Sequence, residues 1–188
     1  MDFTNEINMY LEEELRTIQA LDKDAINRAL NLLVEAFENE NTVYVFGNGG
    51  SASTASHFQS DFNKGVSEPL AKKFRFLCLN DNIATMMAVA NDLGYGEIFR
   101  CQLRGRLKPG DVVLAISGSG NSQNVLNAVE YAKAQGNRVI GLTGYQGGRL
   151  RELSDVSLHV PVENMQIAED IHLMFNHLMM WVLCQTLK

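Results

Sequence analysis

Histidine and carboxylate residues at helical spacing are the side chains in this sequence best suited to chemistry. His57 and Asp61 are four residues apart in a segment with a helical pattern, which places both on one helix face. The last segment is otherwise apolar but carries polar groups: Glu169, His172 and His177. Such groups move protons near neutral pH and also bind zinc. Proton transfer, metal binding and structural pairing within the helix are the open interpretations.

Two turns rich in glycine and serine each follow a short apolar run and precede a helical pattern. Their sequences are Gly47-Asn48-Gly49-Gly50-Ser51 and Ser117-Gly118-Ser119-Gly120-Asn121-Ser122. Backbone N–H groups at a helix start bind anions, glycine lets a ligand approach closely, and serine hydroxyls add donors. Ordinary turns and helix caps are the alternative for one such turn. The repetition favours a phosphorylated small molecule as the ligand.

Nucleotide sites fit these turns less well. Neither turn has the Gly-Lys-Ser/Thr of a nucleoside triphosphate loop, which argues against kinase or NTPase chemistry. A dinucleotide site remains a competing interpretation because Gly47 follows a predicted strand. However, Ala52 replaces the third glycine of that fingerprint, and no acidic residue follows at the distance that a ribose requires.

The composition indicates one globular domain. The chain has 188 residues, of which 46% are hydrophobic and 20% charged, and a net charge of -6. Residues 1–188 are therefore expected to form a single domain that includes the helical segment 1–38. The acidic balance lacks the basic surface expected for nucleic acid or an anionic membrane. The acidic N-terminus, the absence of a membrane-spanning run and the absence of CxxC spacing predict a cytoplasmic protein with reduced cysteines.

Apolar strands alternate with helical segments along the chain. The predicted strands are residues 42–46, 74–79, 112–116, 138–142 and 156–160. This alternation predicts an α/β fold with three layers, in which helices flank a doubly wound, mainly parallel sheet of five strands. Ligands of such sheets bind at the carboxyl ends of the strands. Long helices are expected at both termini, and the last is apolar on more than one face, which predicts a subunit contact.

The chain resembles the sedoheptulose-7-phosphate isomerases (phosphoheptose isomerases), which have the sugar isomerase (SIS) fold. The resemblance spans nearly the whole chain. It rests on both turns and on a further series of motifs: His57-Phe58, Ala90-Asn91-Asp92, Gly110-Asp111-Val112, Leu142-Thr143-Gly144, Glu169-Asp170-Ile171-His172 and His177. It implies a homotetramer with active sites at subunit interfaces and one zinc ion in each site.

The resemblance also implies roles for individual residues. Metal ligands fall on His57, Asp61, Glu169 and His177, and the acid–base pair on Asp61 and His177. Substrate contacts fall on Asn48, Gly49, Gly50, Ser51, Asn91, Asp92 and Gln166, and the phosphate loop on Ser117, Gly118, Ser119 and Ser122. The chain departs from the family at three of these positions, because the family usually has glutamate at 61, glutamine at 169 and threonine at 118.

The implied reaction is an aldose–ketose isomerisation, formally an intramolecular oxidation and reduction. Sedoheptulose 7-phosphate would become D-glycero-heptose 7-phosphate through an enediol, with the metal or a histidine polarising the oxygens. This step leads to heptose for lipopolysaccharide or capsule. Two alternatives stay open: isomerisation of another sugar phosphate, and a non-catalytic phosphosugar-binding protein like the SIS-fold relatives that bind the replication initiator.

Overall fold

Residues 1–187, described by a computed structural model, contain a five-stranded sheet in which every pair of neighbours is parallel. The strands are β1 (Thr42–Gly47), β2 (Arg75–Cys78), β3 (Val112–Ile116), β4 (Arg138–Thr143) and β5 (Val156–His159), in the spatial order β2-β1-β3-β4-β5. The expected five-stranded α/β fold is thereby confirmed.

Within these residues, eight α-helices connect and flank the strands. They are α1 (Thr4–Gln19), α2 (Lys23–Glu38), α3 (Gly50–Ser60), α4 (Ile83–Leu93), α5 (Arg100–Leu103), α6 (Gln123–Ala134), α7 (Gly148–Leu153) and α8 (Met165–Thr186). A 3-10 helix covers Tyr95–Glu97. The sequence pattern predicts one helix from Ser51 to Lys64, but the helix changes type at Asp61, where a π-helix begins and continues to Val66. The pattern also predicts a helix from Asn121 to Gln135, and this helix begins at Gln123 because Ser122 occupies the N-cap position.

The two faces of the sheet bury separate apolar clusters. Alternate residues of β3 point to opposite faces, so Val112 and Leu114 pack in the cluster that includes α2, α3 and α8. Val113 and Ala115 pack in the cluster that includes α5 and α6. Every residue of β3 is fully buried, which explains why this strand is apolar at each position.

The two glycine–serine turns begin side by side. Gly47 at the end of β1 and Ile116 at the end of β3 are register partners, so both turns leave the same edge of the sheet. In the strand order β2-β1-β3-β4-β5, the sheet grows in one direction from β1 to β2 and in the opposite direction from β3 to β5. This reversal lies between β1 and β3, and ligands of open parallel sheets bind in the crevice at such a point. The fold therefore places both turns where sheets of this kind bind their ligands.

Exposed apolar surface lies mainly on two helices. The expected outward apolar surface of α8 is smaller than its sequence indicates, because most of its large apolar side chains pack into the core. In contrast, α4 contains no buried residue, and its Ile83 and Met87 are 68% and 67% exposed. On α1, Ile7, Leu11 and Leu15 follow one another at four-residue spacing and are each more than half exposed. Among residues 1–187, no helix has the length and apolarity to cross a membrane.

Candidate active site

A cavity of about 160 Å³, here called the serine cavity, lies at the switch point of the sheet. Residues of both turns line it, together with Met165 and Glu169 of α8: Asn48, Ser51, Ser117, Gly118, Ser119 and Ser122. Gly120 closes the second turn with φ 67, and a side chain there would collide with the backbone of Gly147. Glycine is therefore required at position 120 for the turn to pack against the loop after β4.

The serine hydroxyls of the second turn lie beside the start of α6. Ser122 stands at the N-cap of α6, yet its side chain forms no capping hydrogen bond. Its Oγ instead accepts a hydrogen bond of 3.1 Å from Ser117 Oγ. The positive end of α6 thus opens toward the cavity beside hydroxyl donors, an arrangement that suits a phosphate group.

Asn48 is held in one orientation by two neighbours that the sequence analysis missed. Asn48 and Asn124 exchange a pair of amide hydrogen bonds of 3.0 and 2.8 Å, and the Tyr95 hydroxyl donates to Asn48 Oδ1 at 2.9 Å. Both lone pairs of Oδ1 are therefore used, whereas Nδ2 retains one free hydrogen. Asn48 can consequently serve the cavity as a hydrogen-bond donor.

Three of the four predicted metal ligands converge at one point. His57 Nε2 lies 3.2 Å from Asp61 Oδ2, His177 Nε2 lies 3.8 Å from the same oxygen, and the two Nε2 atoms are 3.3 Å apart. His57 and Asp61 come from one turn of a helix, as their spacing predicts, and His177 comes from α8. The side chains of His57 and His177 are 42% and 55% exposed, so a substrate can reach them.

These three atoms offer three ligands to a metal ion. Tetrahedral zinc with bonds of about 2.0–2.1 Å separates its ligand atoms by about 3.3–3.4 Å, which is close to two of the three distances, whereas the 3.8 Å from His177 Nε2 to Asp61 Oδ2 is longer. Two imidazole nitrogens and one carboxylate oxygen are also a donor set that zinc accepts, and a fourth position facing solvent is typical of catalytic zinc.

Glu169 is not part of this triangle. Its carboxylate lies against Gly50 at the start of α3, where any side chain larger than glycine would overlap it. Helices α3 and α8 thus meet at two levels, Gly50 with Glu169 and His57 with His177. Seven residues of α3 separate the levels, about 10 Å along a helix. The four predicted ligands are therefore divided between a cluster of three and a carboxylate in the serine cavity.

Other predicted substrate contacts lie outside the cavity. Asn91 and Asp92 are exposed on α4, where the Asn91 amide donates to the Asp92 carboxylate at 2.8 Å. Gln166 is exposed in the first turn of α8, with its backbone N–H bonded to Asn164 Oδ1. None of the three belongs to the residues that line the serine cavity.

His172 is buried and separate from the site. It is 1% exposed, and neither ring nitrogen has a hydrogen-bond partner among the described residues. Burial lowers its pKa to about 4, while the nearby backbone of Thr143 acts in the opposite direction without reaching hydrogen-bonding geometry. Structural pairing within the helix, most easily between His172 and Glu169 at three residues apart, is left open by the sequence. The described hydrogen bonds contain no such pair, and His172 is a neutral core residue.

The fold and the paired serine turns define an SIS domain, and the SIS domain family model matches residues 4–144. Phosphoheptose isomerases from Helicobacter pylori and Coxiella burnetii are each 35% identical to this chain; the alignments cover 92% and 94% of it, and 92% of each relative.

The structure of a phosphoheptose isomerase from Francisella tularensis superposes with a TM-score of 0.90 at 32% identity, covering 99% of this chain and 100% of that one. A phosphoheptose isomerase from Neisseria gonorrhoeae also gives 0.90, at 27% identity, covering 98% of this chain and 100% of that one. The chain therefore belongs to the phosphoheptose isomerase family, a family of aldose–ketose isomerases.

Proposed function

We propose that this protein isomerises sedoheptulose 7-phosphate to D-glycero-heptose 7-phosphate. The observation that carries the proposal is the triangle of His57, Asp61 and His177 beside a cavity suited to phosphate. An open-chain sugar phosphate held by its phosphate in that cavity can extend along α3 and α8 to the triangle, about two helical turns away.

Within this proposal, the serine turn binds the phosphate and Asn48 orients the sugar. The hydroxyls of Ser119 and Ser122 donate to phosphate oxygens together with N–H groups at the start of α6, and the Ser117 hydroxyl exchanges its hydrogen bond to Ser122 for one to the phosphate. The free Nδ2 hydrogen of Asn48 donates to a sugar oxygen. Ser51 and the backbone of Gly49 and Gly50 border the same ligand from the first turn.

The proton transfers fall to Asp61 and His177, whose Oδ2 and Nε2 atoms are 3.8 Å apart. One group takes the proton from C1 of the ketose, which gives an enediol, and the proton returns at C2 to give the aldose. The other group moves the hydroxyl proton between the two oxygens, so that no atom is gained or lost. His57, Asp61 and His177 would hold zinc, and such an ion supplies an electrophile that polarises the carbonyl.

The proposal extends to a homotetramer in the cytoplasm with active sites at subunit interfaces. The exposed apolar side chains of α1 and α4 support an oligomer, because apolar patches on a protein surface often mark contacts with another protein. In this arrangement, Asn91, Asp92 and Gln166 contact substrate at the interface.

The proposed activity can be tested directly on purified protein loaded with zinc. Sedoheptulose 7-phosphate and a panel of phosphosugars of five to seven carbons are each incubated with the protein and followed by proton NMR. Conversion of the heptulose faster than that of shorter sugars is expected. Preference for another sugar would change the proposed substrate, and binding without any turnover would indicate the non-catalytic alternative.

A further inference from the structure

Asn176 is a buried amide that contacts the proposed catalytic cluster from behind. It precedes His177 on α8, is 0% exposed, and donates a hydrogen bond of 2.6 Å from Nδ2 to Asp61 Oδ2. Its other polar atom, Oδ1, is buried without a hydrogen-bond partner among the described residues.

Packing alone does not account for an amide at this position. A buried carbonyl oxygen without a partner loses its hydration and gains nothing in return. Leucine has the same number of non-hydrogen atoms and the same branch at Cγ, favours helices and would leave no polar atom unpaired. The hydrogen bond to Asp61 is therefore the contribution of Asn176 that an apolar side chain could not make.

The hydrogen bond from Asn176 reaches the same Asp61 oxygen that faces the two histidines. Asp61 Oδ2 is the oxygen that lies 3.2 Å from His57 Nε2, and the Asn176 amide approaches it from the protein interior. An amide donor is uncharged and keeps its hydrogens at any pH, so it does not repel a metal ion at the carboxylate as a lysine or arginine would. It therefore orients the carboxylate while leaving its solvent-facing side open.

We infer that Asn176 is a positioning residue that holds the short Asp61 side chain within reach of the two histidines. Aspartate is one methylene shorter than glutamate, so its carboxylate has less reach toward α8. The donor on α8 compensates by fixing Oδ2 at the cluster. The inference rests on the proposed function, because it has Asn176 support the Asp61 carboxylate in binding the metal and transferring protons.

The test compares four full-length proteins: wild type, Asn176→Leu, Asp61→Ala and the double variant. Zinc affinity is measured by competition with a chromogenic chelator, and kcat and KM are measured separately. His172→Leu is the matched control, because it removes an equally buried and unpartnered polar group from the same helix without a hydrogen bond to Asp61. The midpoint of urea unfolding of each metal-free protein at pH 7.5 reports on folding.

For Asn176→Leu we expect zinc affinity and kcat to fall about 10- to 100-fold, with KM and the unfolding midpoint maintained. In the Asp61→Ala background the same substitution should cause no further loss, because its effect passes through Asp61. Wild-type zinc affinity and kcat in Asn176→Leu would overturn the inference, and so would equal losses in His172→Leu. Wild-type protein that binds zinc but does not isomerise would refute the proposed function alone, since the zinc affinities still test Asn176.

Discussion

The Nε2 atoms of His57 and His177 lie 3.3 Å apart, although 120 residues separate them in the chain. One belongs to α3 and the other to α8, two helices that run in the same direction. The contact assembles the proposed metal site from the two ends of the fold. It also explains why Glu169, eight residues before His177, falls at a different level, beside the serine cavity.

Ser122→Ala should raise KM for the phosphosugar and leave kcat and stability nearly unchanged. The reason is that Ser122 makes no capping hydrogen bond that its loss would break, whereas its hydroxyl lies at the proposed phosphate site. The matched control is Asp22→Ala, which removes a real N-cap, the acceptor of the Ala25 N–H at 2.9 Å. That control should cost about 1 kcal/mol of stability without changing KM. Urea unfolding and steady-state kinetics distinguish the two, and an unchanged KM in Ser122→Ala would contradict the assignment.

Glu169→Gln should leave zinc affinity close to that of wild type, because this carboxylate lies outside the cluster of His57, Asp61 and His177. KM should fall, since the substitution removes a negative charge from a cavity proposed to bind a dianion. Stability should fall by about 0.3–1 kcal/mol, because the charge also faces the positive end of α3. Chelator competition, kinetics and urea unfolding measure the three effects. A large loss of zinc affinity would restore Glu169 as a metal ligand.

Much of the fold could be predicted from the sequence because the strands and turns are local features. The apolar runs around Val43 and Val113 have the length and flanking glycines of buried strands, and the structure places strands there. The contact of His57 with Asp61 likewise follows from their spacing on one helix.

The remaining site features depend on packing between distant segments. The sequence has no signal for the π-helix that starts at Asp61, nor for the angle at which α8 crosses α3. These features bring His177 to His57, place Asn176 behind Asp61 and move Glu169 away. An asparagine in an otherwise apolar helix was the sequence clue to Asn176, but its hydrogen-bond partner Asp61 is 115 residues away in the chain.

His172 should make the protein less stable as pH falls. Its pKa is lowered to about 4 in the folded protein, whereas in the unfolded chain it has the ordinary value of about 6.5. Between pH 6.5 and pH 4 the unfolded state therefore binds more protons than the folded state. The free energy of unfolding is not reduced by His172 above pH 6.5, and it declines as the pH falls toward 4. At pH 5 the loss from this residue should be about 2 kcal/mol. Urea unfolding at pH 7 and pH 5 should show a smaller difference in His172→Leu; an equal difference would contradict the assignment.

Met87→Glu should weaken the proposed oligomer. Met87 is 67% exposed on α4, and a carboxylate in a buried subunit contact would be costly. Analytical ultracentrifugation should show a tetramer for wild type and smaller species for the variant, whereas Gln135→Glu, a charge added at the exposed end of α6, should remain tetrameric. A wild-type monomer would refute the proposed assembly.

The most direct test of the central claim is deuterium incorporation into sedoheptulose 7-phosphate in deuterated water, followed by NMR. We expect the wild-type protein with zinc to incorporate solvent deuterium at C2 of the aldose as it forms, and chelation of zinc to stop both exchange and isomerisation. His57→Ala should show neither activity, while still binding the phosphosugar through the serine cavity. Exchange that continues at the wild-type rate after chelation or in His57→Ala would contradict the role assigned to the cluster of His57, Asp61 and His177.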